Sequence, residues 1–243
     1  MLKDKFIRSY RYKVDTILCA LGILQVDPGD FGSFLAMTIL PSPSPTALVA
    51  AHDGKIKMID TRIGRVVSDL KVSIMGATGQ VKVLAARDSL LIAGHGTGYV
   101  SLLDTRTGKL RNAWKAHEGE VLTVTPLEHA AAAAPAPASE ADFVSSSLDQ
   151  TVRFWNTLDG GKLVSSLAVQ DPIHCASLLN GELILGSQAN RISVRHVSGD
   201  HAQFHSNKLR SDVVKGSLTS MKALEMNRML LLGLDNGQTV VMC

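Results

Sequence analysis

Ile92-AGHGTGYVSLLDTRTG-Lys109 reads as an apolar strand, a polar tight turn, an alternating strand that closes on a bulky residue plus Asp, and a Thr/Gly turn. The same order recurs upstream in Val49-AAHDGKIKMIDTRIG-Arg65 and downstream in Val144-SSSLDQTVRFWNTLDGGK-Leu163. Asp53 and Asp149 hold matching places in the two outer copies. Self-similarity of this kind marks a chain of stacked supersecondary units, whose function belongs on a surface and not in a single catalytic cleft.

The polar residues that end the alternating strand are Asp60, Asp104, Asn156 and His196, at spacings of 44, 52 and 40. A period of about 40–45 residues is that of four-stranded propeller blades of the WD-repeat type. The long step contains His129-AAAAAPAPASE-Ala141, an Ala/Pro stretch with no apolar face, expected as a disordered loop between two strands. The expected fold is therefore an all-β WD-repeat β-propeller over residues 31–243, with the insert at 129–141 and a divergent segment at 1–30. Five blades can be drawn, the fourth with a weak outer strand in the polar stretch that runs to Asp212, the fifth stopping after its third strand. Five is near the low end of the range of about four to eight blades, so the reading is an incomplete ring in the C-terminal part of a longer protein. Residues 1–30 are a candidate source for a closing strand, because an open edge leaves backbone groups unpaired.

In that first segment Lys3, Lys5, Arg8, Arg11 and Lys13 precede the apolar run 16–25, which superficially resembles a secretory signal. The run is short, Asp4 interrupts the basic part, and no small-x-small cleavage site follows. It also falls short of the roughly 20 apolar residues that span a bilayer. A strand or short helix on the propeller edge is expected instead.

A hydrophobic content of 45% with 20 Gly suits short strands and many turns. Aromatics are only 5%, so Leu, Val and Ile must carry the packing. The net charge of +3, with no Lys/Arg block interleaved with aromatics, argues against nucleic acid. Cys19, Cys175 and Cys243 are odd in number and far apart, which fits buried thiols better than a disulfide framework or zinc site.

The third unit contains the makings of a hydrogen-bond relay: His117 before the inner strand, Ser145 or Ser147 on the next strand, Asp149 in the turn and Trp155 six residues on. On paper Ser, His and Asp resemble a hydrolase triad. No G-x-S-x-G elbow accompanies them, and a carboxylate–imidazole–hydroxyl–indole chain that ties turn to strand is the favoured reading. His52 and His95 recur beside turns and are expected as turn-capping or surface histidines, not metal ligands. With no Gly-rich phosphate loop, H-E-x-x-H or paired carboxylates, no enzyme activity, cofactor or metal is expected. Asp60-Thr-Arg62 and Asp104-Thr-Arg106 are similar to the W-D-x-R box by which some WD-repeat proteins dock on the cullin-4 ubiquitin-ligase adaptor, without its aromatic. Arg62 and Arg106 are thus candidate partner contacts. The favoured reading is turn chemistry, with Asp accepting backbone hydrogen bonds and Arg facing solvent.

Four passages carry a closer resemblance: Leu102-LDTRTGKLRNAWKAHEGEVL-Thr123, Phe143-VSSSLDQTV-Arg153, Gln170-DPIHCASLLNGELILGSQANRISV-Arg195 and Gly216-SLTSMKALEMNRMLLLGLDNG-Gln238. In order, from about Ala47 to the C-terminus, they resemble the C-terminal WD-repeat propeller of BEACH-domain endosomal regulators. The resemblance implies a scaffold in endosome maturation, cytoplasmic and peripheral on early and late endosomes. Such members act with a second WD-repeat protein to restrain class III phosphatidylinositol 3-kinase complexes, and support autophagic clearance. Protein partners are expected, with membrane association indirect or peripheral; a cullin-4-type substrate receptor is the alternative.

Overall fold

In a computed structural model, the described residues are 34–40, 46–51, 55–60, 65–72, 78–127, 141–157, 160–179, 181–187, 189–196, 205–208, 216–224 and 229–242. The segment 1–30, most of the Ala/Pro insert, and Cys19, His52, Asp53, Arg62 and Cys243 lie outside them.

Among these residues the chain is strands and turns only, in five antiparallel sheets whose strands follow one another in sequence order. It divides into two compact units at Val121/Leu122. The first unit holds two four-stranded sheets. One comprises β1 (Phe34–Ile39), β2 (Thr46–Ala51), β3 (Lys55–Asp60) and β4 (Arg65–Lys71). The other comprises β5 (Val81–Arg87), β6 (Leu90–His95), β7 (Tyr99–Asp104) and β8 (Lys109–Lys115). The second unit carries β9 (Val121–Pro126), β10 (Phe143–Ser147), β11 (Thr151–Asn156) and β12 (Lys162–Ala168) as one sheet. Its next sheet is β13 (Ile173–Leu179), β14 (Glu182–Ser187), β15 (Arg191–His196) and β16 (His205–Lys208). Its last has three strands, β17 (Leu218–Leu224), β18 (Met229–Leu234) and β19 (Thr239–Met242).

The repetition extends below the level of strands. The register between first and second strands slips at the same place in four sheets: Phe34/Ala36, Val81/Val83, Ile173/Cys175 and Leu218/Ser220. Between third and fourth strands it slips at Met58/Ile59, Leu102/Leu103 and Phe154/Trp155. Bulges of this kind increase local twist, so the first two sheets are twisted at both points and each of the other three at one of them.

Packing uses aliphatic side chains, as the scarcity of aromatics requires. In the first unit Ile56, Leu70, Val81, Leu91 and Leu103 form a core between the two sheets. In the second, Val144, Val152, Ile173, Leu183 and Leu185 form one layer, and Cys175, Ile184, Leu218 and Leu232 another. Phe143 and Trp155 supply the one described aromatic stack, with centroids 6.4 Å apart. Close approach of successive sheets depends on a small residue one place before the end of the second strand. Ser146 there donates its hydroxyl to Ile173 O at 2.8 Å. At the equivalent Gly186, a Cβ would stand 2.4 Å from Leu218 Cδ2 and 2.7 Å from Cys175 Sγ. At Gly186 any side chain meets the next inner strand.

Candidate interaction surface

The corner between second and third strands has one construction in the four sheets where it is described. Gly98 (φ 84°), Gln150 (φ 62°), Asn190 (φ 57°) and Gly237 (φ 83°) all take the left-handed conformation three residues after the strand ends. Each closes the turn by donating its N–H to the last strand residue: Gly98 to His95 O, Gln150 to Ser147 O, Asn190 to Ser187 O and Gly237 to Leu234 O, at 3.1–3.2 Å. Glycine adopts this conformation freely, and Asn with less cost than most residues. Gln150 is held there by its neighbour: Asp149 Oδ1 accepts from Thr151 N at 3.0 Å and Thr151 Oγ at 2.6 Å. Asn236 Oδ1 accepts Gln238 N at 3.0 Å in the same way, so Asp149 and Asn236 occupy corresponding positions.

Behind these corners lie the buried polar groups. Trp155 donates its indole N–H to Ser145 Oγ at 2.8 Å, and Ser147 Oγ accepts Asp149 N at 3.1 Å. Ser145, Ser147 and His117 are fully buried. His117 belongs to the first unit, where its backbone N–H and that of Ala116 both bond to Gly98 O, at 2.9 and 3.0 Å.

The structure corrects the expectation for His95. It neither caps a turn at the surface nor faces solvent: it is fully buried, with Nε2 2.8 Å from Ser101 Oγ and Nδ1 3.4 Å from Gly79 O. A carbonyl can only accept, so Nδ1 carries the proton and Nε2 accepts from the Ser101 hydroxyl. Burial pushes the imidazole pKa down from 6.5 to about 4, against a smaller upward effect of the Gly79 bond. The six-residue spacing of His95 and Ser101 was the available signal. The second sheet thus ties strand to strand with His–Ser where the third uses Trp–Ser.

The corner after the third strand is described in full in the second sheet. Asp104 Oδ1 accepts Arg106 N at 2.9 Å and Thr107 N at 3.3 Å, while Oδ2 accepts Arg111 Nη2 at 2.5 Å. The Arg111 hydrogen bond is the main reason the carboxyl pKa falls to about 2; burial opposes it and the two backbone bonds assist. Arg106 extends into solvent, with 75% of its side chain exposed. The residues after Asp104 and Asn156 have a role that the sequence pattern did not disclose. Thr105 donates N–H and hydroxyl to Ser89 O at 2.9 and 3.1 Å, and Thr157 does the same to Asp142 Oδ2 at 2.7 and 2.8 Å. Both tie the end of the third strand to the loop before the second.

Among the described residues no cluster of three His, Cys, Asp or Glu side chains is placed to hold a metal ion, and no helix is long and apolar enough to cross a membrane. Cys175 is a free, buried thiol.

Sheets with this element order and these recurrent corners define a WD-repeat β-propeller fold. A chain of the mitotic checkpoint complex, solved by crystallography, shares it with a TM-score of 0.65 at 14% identity, over 81% of this chain and 58% of that one. No family model matches the chain. Comparison of sequences is more specific. WD repeat-containing protein 81 of Rattus norvegicus is 32% identical over 215 residues (87% of this chain, 10% of the relative). Its Danio rerio counterpart is 31% identical over 206 residues (83% and 9%). The Caenorhabditis elegans protein named Suppressor of organelle fusion 2 is 24% identical over 200 residues (82% and 13%). The chain is a WD-repeat region related to that of WD repeat-containing protein 81, and spans about a tenth of the length of these relatives.

Proposed function

We propose that this chain is a non-enzymatic protein-interaction scaffold in endosome maturation. It works with a second WD-repeat protein to regulate class III phosphatidylinositol 3-kinase complexes, and supports autophagic clearance. It acts in the cytoplasm, peripheral on early and late endosome membranes, through protein partners and without nucleic acid, cofactor or metal. The observation that carries the reading is the placement of its polar groups. Of the side chains that resemble a hydrolase triad, Ser145, Ser147 and His117 are buried, with Ser145 bonded to Trp155, and half-buried Asp149 is engaged by Thr151 within its turn. Polar groups reach solvent on the repeated corners, which their own hydrogen bonds hold in place and which suit recognition. The name of the nematode relative, Suppressor of organelle fusion 2, supports a place in membrane traffic.

Reconstitution tests it: the purified chain, the second WD-repeat protein and the kinase complex on liposomes. Binding with reduced lipid phosphorylation is expected. Absence of binding defeats the proposal, as does hydrolysis of an ester, phosphate or peptide by the chain that His117→Ala abolishes without unfolding it.

The exposure of Arg106 beside Asp104-Thr105 favours a second reading, a substrate receptor of a cullin-4-type ubiquitin ligase. Loss of adaptor binding in a stably folded Arg106→Ala variant is its expected result; binding unchanged by the substitution removes it.

A further inference from the structure

The corner between β18 and β19 differs from its described counterparts in covalent chemistry. The residue before the left-handed one is Thr97 in the second sheet, Asp149 in the third and Ala189 in the fourth. In the fifth it is Asn236, followed by Gly237. An asparagine before glycine can react with its own main chain, because glycine has no side chain to hinder its nitrogen. Asn236 and Gly237 are both exposed. No atom beyond the neighbouring residues lies within 4 Å of where a Cβ on Gly237 would stand. Water and a shifting backbone both have room there.

The hydrogen bonds of the corner prepare the carboxamide. Gln238 N–H donates to Asn236 Oδ1 at 3.0 Å, and Asn236 Nδ2 donates to Gln238 Oε1 at 3.1 Å. The first bond aims a main-chain donor at the oxygen on which charge develops when a nucleophile adds to Cγ. One bond opposes the reaction: Gly237 N–H donates to Leu234 O at 3.1 Å. It has to open, and its surroundings make that opening local. β19 is the outermost strand of its sheet and only four residues long, with Thr239 and Val241 exposed. Such a strand frays far more readily than the sheet unfolds.

We propose that Asn236 is a site of spontaneous deamidation in the folded chain. Gly237 N loses its proton to water and bonds to Asn236 Cγ. The Cγ–Nδ2 bond breaks, and Nδ2 leaves as ammonia with a proton from water. The cyclic imide that results then takes up water. Cleavage between Cγ and the nitrogen leaves aspartate; cleavage between the main-chain carbonyl carbon and the nitrogen leaves isoaspartate, whose main chain is longer by a methylene. Aspartate fits this corner, since Asp149 Oδ1 accepts Thr151 N at the same position of the third sheet. Either product sets a second carboxylate beside exposed Asp235.

The purified chain, folded or in urea, is held at mildly alkaline pH for several weeks, with far-UV circular dichroism to follow folding. Trypsin then releases residues 229–243, in which Asn236 is the sole asparagine. Mass spectrometry of that peptide reads the exchange of the amide NH2 for OH. Conversion of Asn236 in the folded chain is expected within roughly tenfold of its rate in urea, while Asn112, Asn156 and Asn190 stay intact in the folded chain. A folded chain that converts at Asn236 more than roughly tenfold slower than the unfolded one overturns the proposal. So does folded-state conversion at Asn112, Asn156 or Asn190 as fast as at Asn236. An Asn236→Asp chain is expected to keep the wild-type circular dichroism spectrum; loss of its β-sheet signal would overturn the claim that the corner accepts the aspartate product.

Discussion

Protonating His95 should unlock the second sheet, and the size of the effect follows from its surroundings. The imidazole is fully buried, donates to Gly79 O and accepts from Ser101, so a second proton would place a charge away from water and force the Ser101 hydroxyl to turn from donor to acceptor. Its folded pKa of about 4 lies below the unfolded value of 6.5. A depressed histidine pKa means the neutral form is favoured by folding. The stability it contributes is complete above pH 6.5 and is lost as pH falls through the interval down to about 4. The whole interval is worth about 3 kcal/mol, and about 2 kcal/mol of that is gone by pH 5. Urea unfolding at a series of pH values between 7.5 and 4.5, followed by tryptophan fluorescence, measures it. Trp114 reports on the same sheet, because β8 places it opposite Val100 of β7. The variant His95→Gln should be less stable than wild type at pH 7.5 by about 1–3 kcal/mol, the cost of disturbing a buried hydrogen-bonded site. It should also lack the wild-type decline towards pH 5. Parallel stability curves for the two chains would refute the reasoning, since titration of any other group is common to both.

Asp104→Asn should abolish a separate acid transition. Its folded pKa of about 2 lies below 3.8, so wild type loses this contribution only as pH falls from 3.8 towards 2, and stability curves of the two chains should converge there. Gly186→Val places carbon atoms against Leu218 and Cys175 and should cost about 1–3 kcal/mol by overpacking; an unchanged thermal midpoint would contradict the packing described. Trp155→Phe keeps an aromatic ring but removes the indole N–H that the buried Ser145 hydroxyl accepts, with an expected loss of about 1–2 kcal/mol in chemical denaturation. Gly98→Ala would put Cβ 2.1 Å from His117 O at a φ of +84°, and calorimetry should show a larger loss than for Gly186→Ala, where no left-handed strain is added.

Much of the fold was legible because strand alternation and turn residues are local signals. The copies around Asp60, Asp104 and Asn156 announced both the period and the strand order, and 129–141 announced the break between β9 and β10. The three-stranded fifth sheet also follows the reading of Leu218–Met242. β16 was harder to see: His205–Lys208 has no apolar alternation, and it becomes a strand by pairing with β15.

The candidate surface was only partly legible. Glycines mark the left-handed corners at 98 and 237, whereas Gln150 adopts the same conformation by virtue of the hydrogen bonds at Asp149. Sequence by itself determined the repeating unit, its corners and the aliphatic character of the core, because each depends on residues a few positions apart. Tertiary structure alone decided that His95 is buried and neutral, that Thr105 and Thr157 tie corners to loops, and that Gly186 admits Leu218. Those outcomes depend on which atoms from distant parts of the chain exclude water around a polar group or fill the space beside a backbone. Periodicity carries no record of either.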